Sequence, residues 1–301
     1  MEKYRSEYLY EYAKNTIPDE QVWRVFVPSY SRPDAKLLKV IEREPEFPLV
    51  LCIRREQEHL YSHWNCDKLL LDNVHDIAET RQAIIEAASD WCDDIFMFDD
   101  KVSELDFLIP SFTKSGVESM RSSRIVNNGT APRWTDVLKM WMLYVKSCSE
   151  KVFISSPSYR PDSWSMKFKD AKPNYNSGAC GRCMHINLKL CNKWGMSFLP
   201  LNVAGVEDVG FQLQGLTAGL YNLICTDFVY NCSCADGEPG GCSAASNLPL
   251  KERWEQYTQT AKKFWGENHP GIHWDKITRQ GVPSIKLKWK YWKTLVEEKD
   301  K

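Results

Sequence analysis

The feature that most constrains the fold is an alternation of short apolar segments with helical patterns in the first hundred residues. Residues 22–27 and 47–53 are rich in apolar and β-branched residues, which predicts two buried strands. Asp76, followed three positions later by Glu79, is a capping box that opens a helix. A third apolar segment, 95–98, comes after that helix. Strands that alternate with helices predict an α/β fold with a mostly parallel sheet.

The remaining elements are predicted from the same periodicities. Helices are expected at residues 35–42, 54–63, 134–145, 207–220 and 250–265. Strands are expected at residues 152–155 and 184–190, a long polar loop at 111–131, and a loop-rich stretch at 156–182.

Composition and charge narrow the class of protein. The chain has 301 residues, with 39 Lys and Arg against 40 Asp and Glu, so its net charge is -1. This balance excludes a strongly basic tail and an acidic solvating chain, although a local basic patch remains compatible with it. No apolar segment approaches the roughly 20 residues that span a bilayer, and residues 1–14 lack the apolar core of a signal peptide. We therefore expect no membrane partner and a cytoplasmic location.

Two carboxylates follow the apolar segment 95–98. Asp99 and Asp100 would lie at the carboxyl edge of a parallel sheet, where open α/β sheets bind ligands. Adjacent like charges repel, and a divalent cation such as Mg²⁺ or Mn²⁺ would offset that repulsion. The alternative is a solvated turn or a helix cap.

A second acidic pair begins the predicted helix 207–220. The helix dipole favours Glu207 and Asp208 at that position by about 0.3–1 kcal/mol each. This stabilisation alone explains why acidic residues occur there. The functional alternative is a general base on a rigid helix start. Arg32, in the loop after the first strand, and Arg81, on the capped helix, suit phosphate oxygens, unless they are ordinary surface arginines.

Four segments in this order carry a family resemblance: VPSYSRP, DNVHDIAETRQAII, IFMFDDK and GVEDVGFQLQGLTAGL. The chain resembles GT-A nucleotide-sugar glycosyltransferases, and more narrowly the TET-associated DNA-base glycosyltransferases of bacteriophages. The resemblance covers roughly residues 22–110 and 195–230. It implies a Rossmann-type, mostly parallel sheet flanked by helices, and a nucleotide-diphosphate sugar as donor. For a phage-encoded chain the location would be the host cytoplasm.

The resemblance also implies roles for individual residues. Asp208, or else Glu207, would be the catalytic base of an inverting transfer. A retaining transfer is the alternative, because the sequence does not show which face of the sugar is attacked. His273 would join Asp99 and Asp100 around Mn²⁺ or Mg²⁺, with His269 as its competitor. Many relatives carry a third carboxylate where this chain has Lys101, which would either lie beside the diphosphate or point away from it. The donor would be bound by Pro28, Ser29, Tyr30, Arg32, Asp76, Arg81, Asp99 and Asp100.

The same resemblance implies the domain organisation. Residues 1–20 would be a lead-in to a single catalytic domain, 21–301. The nucleotide-sugar-binding half would span 21–110 and the acceptor half 111–301. The acceptor half would include a Cys-rich loop at 225–247 and a basic segment at 271–295.

The basic segment is the part of the sequence that suggests which acceptor the protein uses. Apolar and basic residues alternate over 285–291, which predicts a strand with a lysine face. Its candidate nucleic-acid-binding residues are Lys286, Lys288, Trp289 and Lys290, although lysines also protect edge strands from aggregation. The resemblance implies DNA, in which a hydroxymethylated pyrimidine such as 5-hydroxymethylcytosine offers the hydroxyl. The alternatives are a glycan, protein or small-metabolite acceptor, and a non-catalytic, zinc-stabilised nucleic-acid-binding module.

Cysteines suggest a structural zinc site. The chain has 11 cysteines, and two of them form a CxxC motif. Cysteine pairs on tight turns are typical of structural zinc sites, but the spacing matches no standard finger or ribbon. Free thiols or a disulfide are the alternative. The zinc candidates are Cys180, Cys183, Cys232, Cys234 and Cys242, with Cys225 and His185 as further choices.

Overall fold

The computed structural model describes residues 23–112, 118–122, 132–159, 174–198, 207–232, 250–277 and 283–299. The strands are β1 (Trp23–Pro28), β2 (Leu49–Arg54), β3 (Asp67–Leu71), β4 (Asp94–Phe98), β5 (Val102–Phe112), β6 (Glu118–Ser122), β7 (Val152–Tyr159), β8 (Asn174–Tyr175), β9 (Cys183–Asn187), β10 (Tyr221–Cys232), β11 (Ile272–Ile277) and β12 (Pro283–Leu287). The α-helices are α1 (Val40–Arg43), α2 (Ile77–Ser89), α3 (Trp134–Ser147), α4 (Leu188–Lys193), α5 (Glu207–Ala218), α6 (Leu250–Trp265) and α7 (Trp289–Lys299). Short 3-10 segments occupy Lys36–Lys39 and Arg55–Tyr61.

One large sheet organises the chain, in the order β3-β2-β1-β4-β9-β7-β10-β5-β6, with β8 beside β10. The first four strands are parallel neighbours. Strand β9 is antiparallel to both β4 and β7, and β5 is antiparallel to both β10 and β6. Along this path, therefore, only β9 and β5 run against the other strands. The fold is α/β with a mostly parallel sheet flanked by helices, as predicted.

Both faces of the central strands are buried, which explains why their sequences are apolar throughout. Val25 and Phe96 face a core that contains α3, including Trp141. Phe26 and Met97 face the opposite core, which contains residues of α2, α4 and α5. The sheet is therefore covered on both sides, and its strand ends are left to form a site.

A third core joins the C-terminal elements to α5. Leu213 and Leu216 of α5 pack with Ile272, Leu287 and Trp292, which lie in the β11–β12 hairpin and in α7. The helix that begins at Glu207 is consequently shared between the sheet and the C-terminal elements.

Several sequence predictions are wrong in the structure. The polar loop expected at 111–131 contains β6, which pairs with β5 through backbone hydrogen bonds. The strand expected at 184–190 ends at Asn187, because the Asn187 side chain accepts from the backbone N–H of Leu190 and caps α4. The helix expected at 54–63 is a 3-10 segment.

Two further corrections concern the C-terminal half. The Cys-rich loop expected from residue 225 is strand β10 as far as Cys232, and residues 233–249 lie outside the described part of the chain. The lysine-faced strand expected at 285–291 ends at Leu287, where α7 follows. We attribute the change from strand to helix to the burial of Trp292. This residue is 1% exposed, and its ring occupies the space that a side chain at position 271 would need.

Two other predictions concern the start of the chain and the membrane. The lead-in predicted at 1–20 falls outside the described residues. None of the helices described here combines the length and the apolar composition needed to cross a bilayer.

Candidate functional site

A cleft lies at the carboxyl ends of the parallel strands, and we call it the strand-end cleft. This is the position at which open α/β sheets bind ligands. Its walls come from the ends of β1 to β4, the start of α2 and the residue before β9. They are Pro28, Ser29, Tyr30, Arg32, Cys52, Arg54, Leu71, Asp76, Ile77, Thr80, Asp99, Asp100, Lys101 and Arg182.

Most of the predicted donor-binding residues meet in this cleft. Seven of the eight line it, and Arg81 does not. The α/β topology explains why these seven residues lie together. The residue after a parallel strand and the first turn of the following helix both lie at the carboxyl edge of the sheet. Asp76 caps α2 by accepting from the backbone N–H of Glu79 at 2.9 Å, which confirms half of the predicted capping box. The Glu79 carboxylate accepts from the backbone N–H of His75 rather than from that of Asp76.

Asp100 ties the loop after β1 to the end of β4. Its Oδ2 accepts a hydrogen bond from Ser29 at 2.9 Å, and its Oδ1 pairs with Arg32 at 3.0 Å. The phenol of Tyr61 lies 2.9 Å from the Ser29 hydroxyl and accepts from the Arg32 backbone N–H. Burial raises the pKa of Asp100, and Arg32 opposes that rise. Both oxygens of this carboxylate are thus already engaged within the protein.

Arg81 is buried and joins two carboxylates. Its guanidinium lies 3.3 Å from Asp99 and 2.8 Å from Glu207, and the side chains of Arg81 and Glu207 are 6% and 5% exposed. The structure therefore places Arg81 between the two acidic pairs that the sequence singles out, as a link rather than as part of the cleft wall.

Asp208 follows Glu207 at the start of α5. Its Oδ1 accepts from the backbone N–H of Val209 at 2.8 Å. Burial raises the pKa of Asp208, and Asp99 adds to that rise while Arg81 opposes it. A carboxyl group with a raised pKa is a better proton acceptor than an ordinary one, which suits a general base.

The CxxC motif lies between the two acidic pairs. Cys180 and Cys183 are both fully buried as free thiols. Cys183 and Cys232 belong to one apolar core and Cys180 to the opposite one. Among the residues that the structure describes, no three His, Cys, Asp or Glu side chains are grouped to hold a metal ion. Cys234 and Cys242 lie outside those residues, so the zinc site stays a prediction.

Of the residues proposed for the catalytic metal, Asp99 and Asp100 line the strand-end cleft and His273 does not. Asp99 faces the strand-end cleft with a side chain that is 29% exposed. His273 is exposed on β11 and lines a different groove. His269 stacks on Trp292 with ring centroids 5.6 Å apart, and burial lowers its pKa. Hard oxygen ligands suit Mg²⁺ and Mn²⁺, so Asp99 together with substrate phosphates fits such an ion better than Asp100 or either histidine.

Sequence reasoning misses two cationic residues of the cleft, Arg54 and Arg182. Arg54 lies over the Tyr30 ring at 4.4 Å and donates to the His75 carbonyl at 2.6 Å. Lys101 and Arg182 also line the cleft. Of the two positions expected for Lys101, beside the diphosphate or pointing away, its place in the lining favours the first. Nothing in the local sequence around Arg182 indicates that it reaches this edge of the sheet.

A second concavity, which we call the C-terminal groove, is open and shallow. It is lined by His273, Leu287, Lys288, Trp289, Lys290, Tyr291 and Thr294. Lys286 is exposed on β12, at the position paired with His273. Although the predicted strand breaks after Leu287, the candidate residues Lys288, Trp289 and Lys290 still share one surface.

Comparison with known proteins gives the chain distant structural neighbours only. No family model and no curated protein sequence matches it. A197 from STIV is 11% identical, with a TM-score of 0.37 over 69% of this chain and 83% of that one. The CMP:2-keto-3-deoxy-manno-octonic acid synthetase complexed with CTP is 9% identical, with a TM-score of 0.39 over 68% and 89%. The mannose-1-phosphate geranyltransferase of Thermus thermophilus is 11% identical, with a TM-score of 0.35 over 70% and 73%.

Proposed function

We propose that this protein is a glycosyltransferase that moves a sugar from a nucleoside-diphosphate sugar to a hydroxyl group. The observation that carries the proposal is the strand-end cleft, in which four cationic side chains lie together with the carboxylates of Asp76, Asp99 and Asp100. Those cations are Arg32, Arg54, Lys101 and Arg182. A cleft that presents four cationic side chains at the carboxyl edge of a parallel sheet suits a phosphorylated ligand.

The chemistry assigned to the chain's own residues is proton transfer and charge stabilisation. Asp208 takes the proton of the acceptor hydroxyl while that oxygen attacks the anomeric carbon. The bond from this carbon to the diphosphate breaks, and its electron pair stays on the departing diphosphate oxygen. Attack opposite the leaving group inverts the anomeric centre. Cationic groups of the cleft stabilise the charge that develops on the diphosphate.

Asp99 is the residue we assign to the metal ion of such a reaction. Mg²⁺ or Mn²⁺ bound there would neutralise phosphate charge as a Lewis acid. Asp100 keeps its role in holding Ser29 and Arg32, because both of its oxygens are occupied by these partners.

The test is thermal unfolding with a panel of nucleoside diphosphates and their sugars, with and without Mn²⁺. A ligand at about 100 times its Kd stabilises the folded state by roughly 2.7 kcal/mol, which raises the melting temperature measurably. We expect a shift with one nucleotide class and none with the matching nucleoside, which lacks the phosphates. The absence of a shift with every nucleotide would contradict the proposal and favour a non-catalytic binding module.

For the acceptor we propose DNA carrying a hydroxymethylated pyrimidine. The support is the C-terminal groove, where Lys288 and Lys290 lie beside Trp289 and Tyr291. Lysines suit the phosphate backbone, and aromatic rings stack on unpaired bases. An enzyme that modifies a base must reach it outside the stack, which such a surface assists.

The DNA proposal is tested by binding at several salt concentrations. Each phosphate contact contributes to the slope of log K against log salt, so the double variant Lys288→Glu, Lys290→Glu should weaken binding and flatten that slope. The matched control reverses two exposed lysines elsewhere, Lys36→Glu and Lys39→Glu. Equal effects of both double variants, or binding that ignores salt, would favour a glycan, protein or metabolite acceptor.

A further inference from the structure

The segment 180–183 connects the strand-end cleft to the start of α5. Strand β9 pairs antiparallel with β4, and Cys183 lies opposite Phe98. The pairing continues one residue beyond both strands, because the backbone N–H of Asp99 donates to the carbonyl of Arg182 at 2.8 Å. The sheet register therefore places Arg182 directly beside Asp99.

The other end of this segment is held by α5. The backbone N–H of Cys180 donates to Oε1 of Gln212 at 2.8 Å, and Nε2 of Gln212 donates to the Cys180 carbonyl at 2.7 Å. Gln212 is fully buried, and Asn222 donates to the same Oε1 at 3.2 Å. The segment is thus bonded at both ends to elements that carry the proposed donor and base residues.

Gly181 brings the segment close to the candidate base. A Cβ at this position would lie 3.2 Å from Oδ2 of Asp208, so the backbone approaches that carboxylate closely. The residue on one side of Gly181 faces the apolar core, and the residue on the other side lines the cleft.

The arginines at this end of the sheet make different contacts. Arg32 pairs with Asp100, and Arg81 pairs with Asp99 and Glu207. Arg54 lies over Tyr30. Arg182 presents an exposed side chain in the lining of the cleft, on a backbone that hydrogen bonds hold in place.

We propose that Arg182 binds the diphosphate of the donor and that the 180–183 segment positions it for this task. The inference rests on the proposed function and assigns one residue of the same site. A guanidinium fork matches phosphate oxygens, and its rigid attachment beside Asp99 puts the positive charge where the leaving group becomes more negative. The two buried cysteines then anchor the segment in the two cores on either side of the sheet.

The experiment measures binding to the full-length protein by titration calorimetry. The ligands are a nucleoside diphosphate, the matching nucleoside and inorganic pyrophosphate. Arg182→Gln should weaken binding of both phosphorylated ligands by about 10-fold to 100-fold, as loss of a hydrogen bond to a charged group does. Binding of the nucleoside should be unchanged. Arg182→Lys should fall between the two, because it keeps the charge without the fork. Arg24→Gln is the control, since Arg24 is a half-exposed arginine at the opposite end of β1.

The outcomes distinguish a failure of this inference from a failure of the proposed function. Unchanged affinity of Arg182→Gln for the nucleoside diphosphate would overturn the inference and leave the proposed function standing. Wild-type protein that binds pyrophosphate through Arg182 but no nucleotide would support the inference and contradict the donor proposal. Wild-type protein that binds neither phosphorylated ligand would overturn both.

Discussion

Arg81 and Glu207 form a buried ion pair of 2.8 Å between residues 126 positions apart in the chain. The pair connects α2, which begins at the strand-end cleft, to the first residue of α5, which precedes Asp208. Arg81 also reaches Asp99 at 3.3 Å. One guanidinium therefore sets the relative positions of the proposed donor site and the proposed base.

The first prediction concerns stability. Arg81→Met leaves Glu207 buried without its cation, and breaking a buried pair in this way costs about 3–5 kcal/mol of unfolding free energy. The control is Arg55→Met, because Arg55 pairs with Asp72 at 2.7 Å but both side chains are more than half exposed. Exposed pairs are screened by water and salt, so the control should change stability little. Urea unfolding of both variants measures the difference.

A double-mutant cycle sharpens this test. Glu207→Gln in the Arg81→Met background should cost much less than Glu207→Gln alone, because its partner has already gone. Additive costs would show that the two side chains do not depend on each other, contrary to the contact observed.

The second prediction concerns the base. Asp208→Asn should lower kcat by about 10²–10⁴, the usual contribution of a general base, while the Kd for the nucleoside diphosphate stays the same. Because burial raises the pKa of Asp208, wild-type kcat should begin to fall with decreasing pH while still above the ordinary aspartate pKa of about 3.9. The carboxyl group is protonated below its pKa and then cannot accept a proton. A variant that retains full kcat would remove Asp208 from the mechanism.

The third prediction separates positioning from packing. Gly181→Ala adds a methyl group 3.2 Å from Oδ2 of Asp208, which must shift by a few tenths of an ångström. We expect kcat to fall while the nucleotide Kd is retained. Gly178→Ala is the matched control, because its methyl group meets Ile224 at 3.1 Å instead. Parallel losses of kcat in both variants would indicate a general disturbance of the fold.

The strand-end cleft shows how much of a site local sequence can predict. Asp99 and Asp100 follow an apolar strand, Asp76 caps a helix, and Ser29 lies in the loop after the first strand. Each of these signals lies within a few residues of its own strand or helix. The parallel topology then brings them together, so a correct fold class is sufficient to group them.

Arg182 shows where that reasoning ends. Its place beside Asp99 depends on the antiparallel pairing of β4 with β9, which joins distant parts of the chain. No local periodicity encodes that register. The helical pattern places Arg81 near this edge of the sheet, but only the packed structure shows that it pairs with Glu207 and Asp99 and is not itself part of the cleft wall.

The C-terminal elements show how periodicity misleads over short windows. Residues 285–291 alternate apolar and basic side chains, yet the strand includes only the first buried positions, Ile285 and Leu287. Beyond them Trp292 and Val296 are buried at helical spacing, and Trp292 Nε1 donates to the Gly271 carbonyl at 2.9 Å. The tertiary contact of one tryptophan outweighs the local pattern.

The last prediction concerns a buried network at the opposite end of β4. Asp94 lies 3.0 Å from Nε2 of His185 and 3.5 Å from Nζ of Lys146. The other ring nitrogen of His185 lies 3.4 Å from the Ser155 hydroxyl, which accepts from Trp141 at 3.0 Å. Burial alone would raise the pKa of Asp94, but His185 and Lys146 outweigh it and lower that pKa.

An aspartate with a lowered pKa stabilises the folded state fully above its unfolded pKa of about 3.9, and this contribution is lost as the pH falls through the folded value. Asp94→Asn should therefore reduce the free energy of unfolding by about 1.5–3 kcal/mol at pH 7, the range for hydrogen bonds to charged groups. The difference from wild type should shrink at an acid pH below the ordinary aspartate pKa, where Asp94 itself becomes protonated. The control is Asp67→Asn, whose partner Arg24 and own side chain are exposed, and it should change stability little at either pH. Urea unfolding at both pH values measures these differences. If Asp94→Asn lowers the free energy of unfolding equally at both, the network stabilises the fold by packing and not by charge.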